Sequence, residues 1–546
     1  LMLATVLYAA FNFVRSKDPR WGYLAAFVGG LALGAHTSST LITIPVTIYL
    51  IWRFRKFPSY RSLFLGLSLI ALGFMVYLYL PLRAVQGPAI DWGDPRTLPA
   101  AYAHITRRMY GGPSAVRLQF LPFHLLELGK FVWRYFAPAA VAAIVGGLVL
   151  GIIRGRPWRF LSVLLLLTGP VSTAFLVLLL QGHQIGEINV WYIPFFMLAT
   201  LFIGLAVFTL TVHGRRWVRG VGYAGAVVVA ALPLALNFSW NYKHNFYFAE
   251  DFGANFLRTI AYRGINIMFE RGSLGTFETA YLKKVEGYRP DHVFIDGTGS
   301  VYREYVLFSV GRLHSGDPIA ASRWERQFET DIINTPSNKD VYYSIYRQNV
   351  LDYGYTLDPA GMLYRVTRPP LDPRPVRPVW GRYSMRGAEE VQARADSPLY
   401  LSQEWVRDAL CKYKTMLARD YLLAGDEDKA FATLDEATPL AQGMTESLAE
   451  IANIYITHGY PEKAIPYYDQ ALAAFPRKGV GDDSLRYHYA QIYSNKAVAH
   501  LTAGDVDGAE AAFNASLEAY PNQPDIRNLA QREKLERFAA ELASPR

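Results

Sequence analysis

The strongest constraint on this chain is a series of long apolar runs that fill its first 240 residues and then stop. A helix needs roughly 20 apolar residues to cross the hydrocarbon layer of a bilayer, with short spans near 17. Runs of this kind fall at residues 1–14, 21–36, 39–52, 62–82, 132–153, 159–181, 190–212 and 219–239. The sequence opens at Leu1, already inside an apolar stretch, so it reads as beginning partway through a longer protein with its first span cut short. The second and third runs are short and joined by His36-Thr37-Ser38-Ser39, as in a tight helical hairpin. One long kinked helix is the alternative, because breaks in buried spans are tolerated. Mean hydropathy is only +0.10, since a second, ordinary water-soluble half dilutes the first.

Charge sets the expected orientation. Arg15, Lys17 and Arg20 form one basic cluster, and Arg53, Arg55, Lys56 and Arg61 a second. Arg154, Arg156 and Arg159 form a third, and Arg215, Arg216 and Arg219 a fourth. With the spans as drawn, all four lie on one side, which the positive-inside rule makes cytoplasmic. The protein is then multi-pass in the plasma (inner) membrane, with the loops at 36–39, 83–131 and 182–189 and everything after about residue 238 outside. The net charge of +9 is thus explained by topology, and nucleic acid is not expected as a partner. A single cysteine, Cys411, excludes an intrachain disulfide and any zinc site built from several cysteines.

The expected fold class is a polytopic α-helical membrane domain, then a small α/β domain, then a C-terminal α-helical repeat stack. The boundaries are placed at 1–240, 241–368 and 401–546, with a Pro-rich, extended linker over 369–400 that opens PPLDPRPVRP. In the α/β part, 265–269 reads as a strand, 277–285 as a helix and 292–295 as a strand, a βαβ unit. Residues 341–346 and 361–366 read as further strands. In the last part Ala418, Tyr421, Gly425, Ala430, Leu434 and Ala437 recur 34 residues later as Ala452, Tyr455, Gly459, Ala464, Tyr468 and Ala471. A third copy runs Ala497, His500, Gly504, Ala509, Phe513 and Ser516, after an insertion of 11 residues around 477–486. The period, the small residues and the closing prolines Pro476 and Pro521 resemble the tetratricopeptide repeat. Residues 531–542 are expected to form a capping helix. Such a stack implies a protein or peptide partner; packing of the helices against the α/β domain is the alternative.

Chemistry is harder to find. No phosphate-binding loop, zinc-protease motif or nucleophile elbow occurs in a supporting context, the histidines lack metal-ligand spacing, and no divalent metal is required. The outward loop 83–131 is the informative stretch, because its arginines oppose the inside bias. They suit an anion at the outer surface, such as a lipid-linked phosphate, or a loop facing headgroups. Asp91 and Asp94 bracket Trp92-Gly93, either as a sugar platform edged by carboxylates or as a surface turn with an interfacial tryptophan.

The series YLPLRA, DWGDP and HITRRMYG is similar to a family of multi-span proteins, mostly bacterial and of unknown function. Its eukaryotic relatives are transmembrane protein O-mannosyltransferases. Tyr281-Leu282, Glu286-Gly287 and Arg289-Pro290-Asp291 resemble a further element of that family, and Gly34-Ala35-His36-Thr37 its hairpin turn. The resemblance implies a GT-C-type glycosyltransferase, moving a sugar, which is mannose in the eukaryotic relatives, from a polyprenyl-phosphate donor to an outer acceptor, expected to be protein. Its general base would lie in a first outward loop upstream of Leu1, so no catalytic residue is assigned here. Supporting roles fall to Arg83, Arg107 and Arg108 at the donor phosphate, and to Asp91, Trp92, Asp94 and His36 at the sugar or acceptor. Glu187 and Tyr192 also lie toward the outer side. In place of the acid-rich turn expected after the first α/β strand, the chain has Arg271-Gly272-Ser273-Leu274-Gly275-Thr276, which puts a ligand role there in doubt. The competing reading is a non-catalytic membrane scaffold whose repeats assemble envelope proteins. A transporter is opposed by the lack of an acid or base near the span centres.

Overall fold

In the computed structural model the described residues are 1–35, 44–45, 48, 59–88, 90–91, 93–106, 121–179, 192–241, 244, 246–260, 265–270, 273–296, 327–335, 338–346, 348–388, 404–474 and 483–543. They divide into two compact units. One comprises Leu1–Val85 and Arg96–Lys243, the other Gln86–Pro95 and His244–Arg546.

The first unit is helical: α1 (Met2–Ser16), α2 (Pro19–Ala35), α3 (Tyr60–Phe74), α4 (Tyr79–Val85), α5 (Leu98–Ile105), α6 (Leu121–Arg154), α7 (Arg156–Leu179), α8 (Ile193–Thr211) and α9 (Arg216–Asn241). A short 3-10 turn, Met75–Leu78, joins α3 to α4. Among the described residues four stretches are long and apolar enough to cross a membrane: Tyr60–Val85, Tyr135–Arg154, Ile193–Thr211 and Arg216–Leu236. Met2–Phe13 and Trp158–Thr173 are apolar but shorter. Most of the run expected at 39–52 lies outside the described residues.

Helices of this composition associate by close packing where the solvent is lipid, since lipid tails are as apolar as leucine. Glycine permits it. A Cβ at Gly30 would lie 2.2 Å from the Ile70 carbonyl oxygen, one at Gly73 2.4 Å from that of Phe27, and one at Gly147 2.0 Å from that of Phe202. Large apolar side chains such as Phe64, Leu67 and Leu72 on α3, and Val221, Val227 and Leu234 on α9, face outward. That arrangement suits a hydrocarbon solvent and would be a liability in water.

The run expected at 132–153 is part of a longer helix that breaks inside itself. Ala137, buried, stands at φ 59° and ψ 162°, and Pro138 follows it. Proline cannot donate to the preceding turn and its ring crowds the carbonyl four residues back. The left-handed backbone at a non-glycine residue costs of order 1–3 kcal/mol and needs neighbours that hold it. Tyr135 and Phe136 supply them, each packing on Phe196 with centroids 5.6 and 5.9 Å away.

The second unit contains α10 (Phe248–Thr259), β1 (Ile265–Glu270), α11 (Ser273–Lys284), β2 (Val293–Asp296), β3 (Asn338–Tyr343), β4 (Thr356–Ala360) and β5 (Leu363–Thr367). The sheet order is β2-β1-β3-β5-β4. β1 pairs in parallel with β2 and β3, and β5 antiparallel with β3 and β4. The strand expected at 361–366 is β5, and it is the second arm of a hairpin whose first arm, β4, was not expected. Gly361, at φ +60°, makes the first position of a two-residue turn between Ala360 and Leu363. A Cβ there would also meet the Tyr383 hydroxyl, which accepts the Met362 N–H at 3.0 Å. Pro359 is accommodated because β4 is an edge strand.

The repeat helices follow as α12 (Glu404–Leu423), α13 (Glu427–Ala441), α14 (Thr445–Thr457), α15 (Pro461–Ala474), α16 (Asp483–Thr502) and α17 (Val506–Ala519). Short α18 (Pro524–Leu529) and α19 (Arg532–Ala543) close the end. Small residues of the repeat, among them Ala418, Ala430, Ala452, Ala464, Ala497 and Ala509, are fully buried where helices touch. Leu434, Tyr468 and Phe513, at one repeat position, fill the gap between paired helices. Gly425, Gly459 and Gly504 end the first helix of each pair at φ +78°, +83° and +81°, a conformation glycine enters without strain.

The Pro-rich stretch is fixed in place over 374–386. Asp358 of β4 and Asp420 of α12 grip its arginines: Arg374 reaches Asp420 at 2.6 Å and Asp358 at 3.0 Å, and Arg377 reaches Asp358 at 2.5 Å. Asp251 of α10 accepts from Ser384 Oγ at 2.9 Å and from the Arg386 guanidinium at 2.7 Å. Burial alone would raise the Asp251 carboxyl, yet the hydrogen bonds from Arg386 and Ser384 outweigh it and hold it below its ordinary range.

Candidate functional site

The loop residues expected at a donor site are only partly brought into view. Arg83 sits in the last turn of α4 and is exposed. Asp91 is buried, and Asp94 stands at φ 39° beside Gly93 at φ 72°, with the Asp94 N–H directed at the Asp91 carbonyl at 3.4 Å. Gly93 and Asp94 therefore make a tight left-handed turn, and Gln86–Pro95 belongs to the second unit. His36, Trp92, Arg107, Arg108 and Glu187 lie outside the described residues.

Tyr192, noted from sequence only for its side of the membrane, is fully buried. Its hydroxyl lies 2.9 Å from Thr173 Oγ1 and donates to the His124 carbonyl at 3.3 Å. This ties the start of α8 to the first part of α6 and to the later part of α7. Phe131, Tyr135 and Phe196 surround it with rings. His124 and Thr173 escaped the sequence reading because a lone histidine or threonine in an apolar run gives no spacing signal.

The quoted Tyr281–Asp291 element forms one interlocked turn between α11 and β2. Tyr281 Oη donates to Glu286 at 2.6 Å, and Gly287 takes φ +64°. Arg289, buried at φ +50°, donates to the Leu257 and Ile260 carbonyls at 3.1 and 3.2 Å and pairs with Asp291. Its guanidinium thus satisfies carbonyls left over at the end of α10. Lys283 bonds the carbonyls of Arg289 and His292 at 2.6 and 2.8 Å. These residues build the turn and seal the helix end.

His292 is enclosed by that turn, its side chain 1% exposed and its Nδ1 3.6 Å from Asp291. Burial foremost, then the Arg289 charge, opposed by Asp291 and joined by Lys283, pull it down to about 4. The folded value lies below the unfolded one of about 6.5, so the neutral ring stabilises the fold fully above pH 6.5. That contribution, about 3 kcal/mol at most, is lost as pH falls from 6.5 toward 4. His292→Phe should remove this loss, seen as a smaller drop in denaturation midpoint between pH 7 and 4.5 than the parent shows. An equal drop in both would refute the assignment.

The repeat stack offers the most fully built surface. Its first helices, α12, α14 and α16, are tied side by side through polar pairs. Ser447 Oγ donates to Asp408 at 2.7 Å, and Arg419 pairs with Glu450 at 2.7 Å across α12 and α14. Asn495 donates to Asn453 at 3.3 Å, and His488 faces Glu446 at 3.9 Å across α14 and α16. Tyr468 also donates to Asn453 at 2.6 Å. Arg419 and Asn453 each follow the small residue that marks the repeat, Ala418 or Ala452, and this shared register was the signal available in the sequence.

At α12 this surface meets the sheet. Lys412 Nζ donates to the Ser344 carbonyl at 2.5 Å and lies over the Phe256 ring, and Met416 enters the core of Val341, Tyr343 and Leu357. Cys411 is buried in the same helix, its thiol pushed up to about 12 by burial. Among the described residues no group of three His, Cys, Asp or Glu side chains is placed to hold a metal.

A sequence profile described as tetratricopeptide repeat matches residues 450–524. No curated protein and no solved structure matches the chain.

Proposed function

We propose that the chain is a membrane-anchored docking protein, with apolar helices that hold it in a bilayer and a repeat stack that presents a face to a protein partner. One observation carries this reading: span-length apolar helices and helix pairs repeated in register stand in the same chain. Repeat stacks of this kind present extended surfaces to polypeptides. The basic clusters support a cytoplasmic side for the loops that hold them and an outer side for the soluble half. Gln86–Pro95 and 244–546 belong to one unit, which supports placing that loop and the repeats on the same side.

A photo-crosslinking residue at Gln491, exposed on α16, should trap a protein in intact membranes, and one at exposed Phe64 of α3 should not. Equal capture at both positions, or none at either, removes the docking reading.

A second reading is sugar transfer from a polyprenyl-phosphate donor, with the scaffold as its support. It rests on the resemblance of the quoted motifs. It is favoured by one observation: DWGDP and the Tyr281–Asp291 turn, two of the segments that bear the likeness, belong to a single unit. Arg83, Arg107 and Arg108 would then neutralise the donor phosphate, and Asp91, Trp92, Asp94 and His36 would face sugar or acceptor. Membranes containing the full-length protein should transfer sugar from polyprenyl-phosphate sugar, and Arg107→Ala with Arg108→Ala should abolish it. Transfer indifferent to both changes eliminates the phosphate site.

A further inference from the structure

We propose that the partner of the repeat stack is a basic, extended polypeptide segment, seated along the seam between α14 and α16. The proposal deepens the docking reading and rests on it. Three observations converge on it.

The face is continuous with an interface that the chain has already formed. At α12 the same row of first helices holds the chain's own backbone, with Lys412 bonded to the Ser344 carbonyl just past β3. Tyr364 of β5 is buried beside the Arg419–Glu450 pair, and its hydroxyl is pushed up, by burial foremost. The α/β layer thus occupies the α12 end of the row, and the seam from α14 to α16 is the part left to a second polypeptide.

Charge points to the sign of that polypeptide. Residues 404–546 hold 15 Lys and Arg against 22 Asp and Glu, a balance of −7, in a chain whose total is +9. Of the acids on these first helices, Asp408 accepts from Ser447 and Glu450 pairs with Arg419 between α12 and α14, while Glu446 stands at the α14–α16 seam. The cations on these helices have partners too: Arg419 with Glu450, Lys412 with the Ser344 carbonyl, Lys496 with Asp469 and Arg486 with the Ala519 carbonyl. Glu446 is the outermost of the three acids, its side chain 85% exposed, with His488 3.9 Å away.

The seam also has the chemistry to hold a backbone. Asn453 and Asn495 meet across it at 3.3 Å, two turns along α14 from Glu446. The Asn453 side-chain oxygen accepts from Tyr468 and Asn495, which fixes the amide's orientation, and its NH2 group supplies donors for a passing carbonyl. A carboxylate at one end and an amide pair at the other fit an extended segment with a Lys or Arg opposite Glu446.

The test uses the full chain in nanodiscs of zwitterionic lipid, so that the bilayer itself does not attract the probe. A fluorescent peptide of alternating Lys and Ala should bind saturably, and one of alternating Glu and Ala should not. Glu446→Lys should weaken the lysine peptide about tenfold, roughly 1.4 kcal/mol. Asp435→Lys, the same charge reversal at an exposed site on α13, should change it less than about twofold. Unchanged thermal unfolding of both variants confirms that the fold is intact. Equal loss in both variants would mean attraction by net charge alone and overturns the seam. Preference for the glutamate peptide, with crosslinking at Gln491 retained, overturns the basic chemistry and leaves docking standing. Failure of both peptides together with loss of that crosslink overturns both.

Discussion

Asp420→Ala should destabilise the C-terminal unit by about 3–5 kcal/mol, the usual range for removing one member of a buried ion pair. Asp420 is fully buried on α12. Its carboxylate accepts from Arg374 at 2.6 Å, from the Arg377 backbone N–H at 2.8 Å and from Trp380 Nε1 at 2.9 Å. Truncation leaves a half-buried guanidinium facing a void and strands two neutral donors. The same arginines answer to Asp358 on the edge strand, so the loss should loosen both the sheet and the first repeat. Urea denaturation in detergent, followed by tryptophan fluorescence, would show the midpoint fall. Asp428→Ala, at an exposed acid of the next helix, should stay within about 0.5 kcal/mol. Similar shifts for the two variants would mean that the cluster is not what fastens the Pro-rich stretch.

Gly147→Val should be the most damaging single change in the helical membrane-type unit, at about 3 kcal/mol or more, the upper end for overpacking. Its Cβ would lie 2.0 Å from a backbone oxygen of α8, which no rotamer change relieves. The helices would have to part, and every close contact along α6 and α8 would weaken with them. Gly146, its neighbour, has no atom within 4 Å of the corresponding position, so Gly146→Val should be nearly neutral. Thermal aggregation of detergent-solubilised protein separates the two outcomes. Equal sensitivity at Gly146 and Gly147 would mean that α6 does not pack on α8 by this face.

Much of this architecture was legible before any coordinates. Apolar runs, the βαβ pattern and the 34-residue repeat are local or periodic signals, and each reflects a rule that a short segment obeys by itself. Gly425, Gly459 and Gly504 were visible as repeat punctuation because only a left-handed residue ends those helices without strain. Of the hairpin at Gly361, the second arm was read as a strand, and the first arm was missed because Thr356 to Ala360 carries Asp358 and Pro359, which argue against a strand. The break at Ala137 was missed because alanine normally favours helix, and only the packing around it makes the strained backbone tolerable.

The candidate site divides the same way. The sequence by itself determined that apolar helices and a repeat stack share the chain, and which small residues bury in that stack, because periodicity and length are properties of the segment. It could not place Asp251, Asp358 and Asp420 on the arginines of the Pro-rich stretch, Tyr192 on Thr173, or Asn453 against Asn495. Those pairs join residues 16 to 135 positions apart. A buried carboxylate or amide is stable only when a specific distant partner meets it. Which partner does so is decided by how the helices and strands pack, and only the tertiary structure records that.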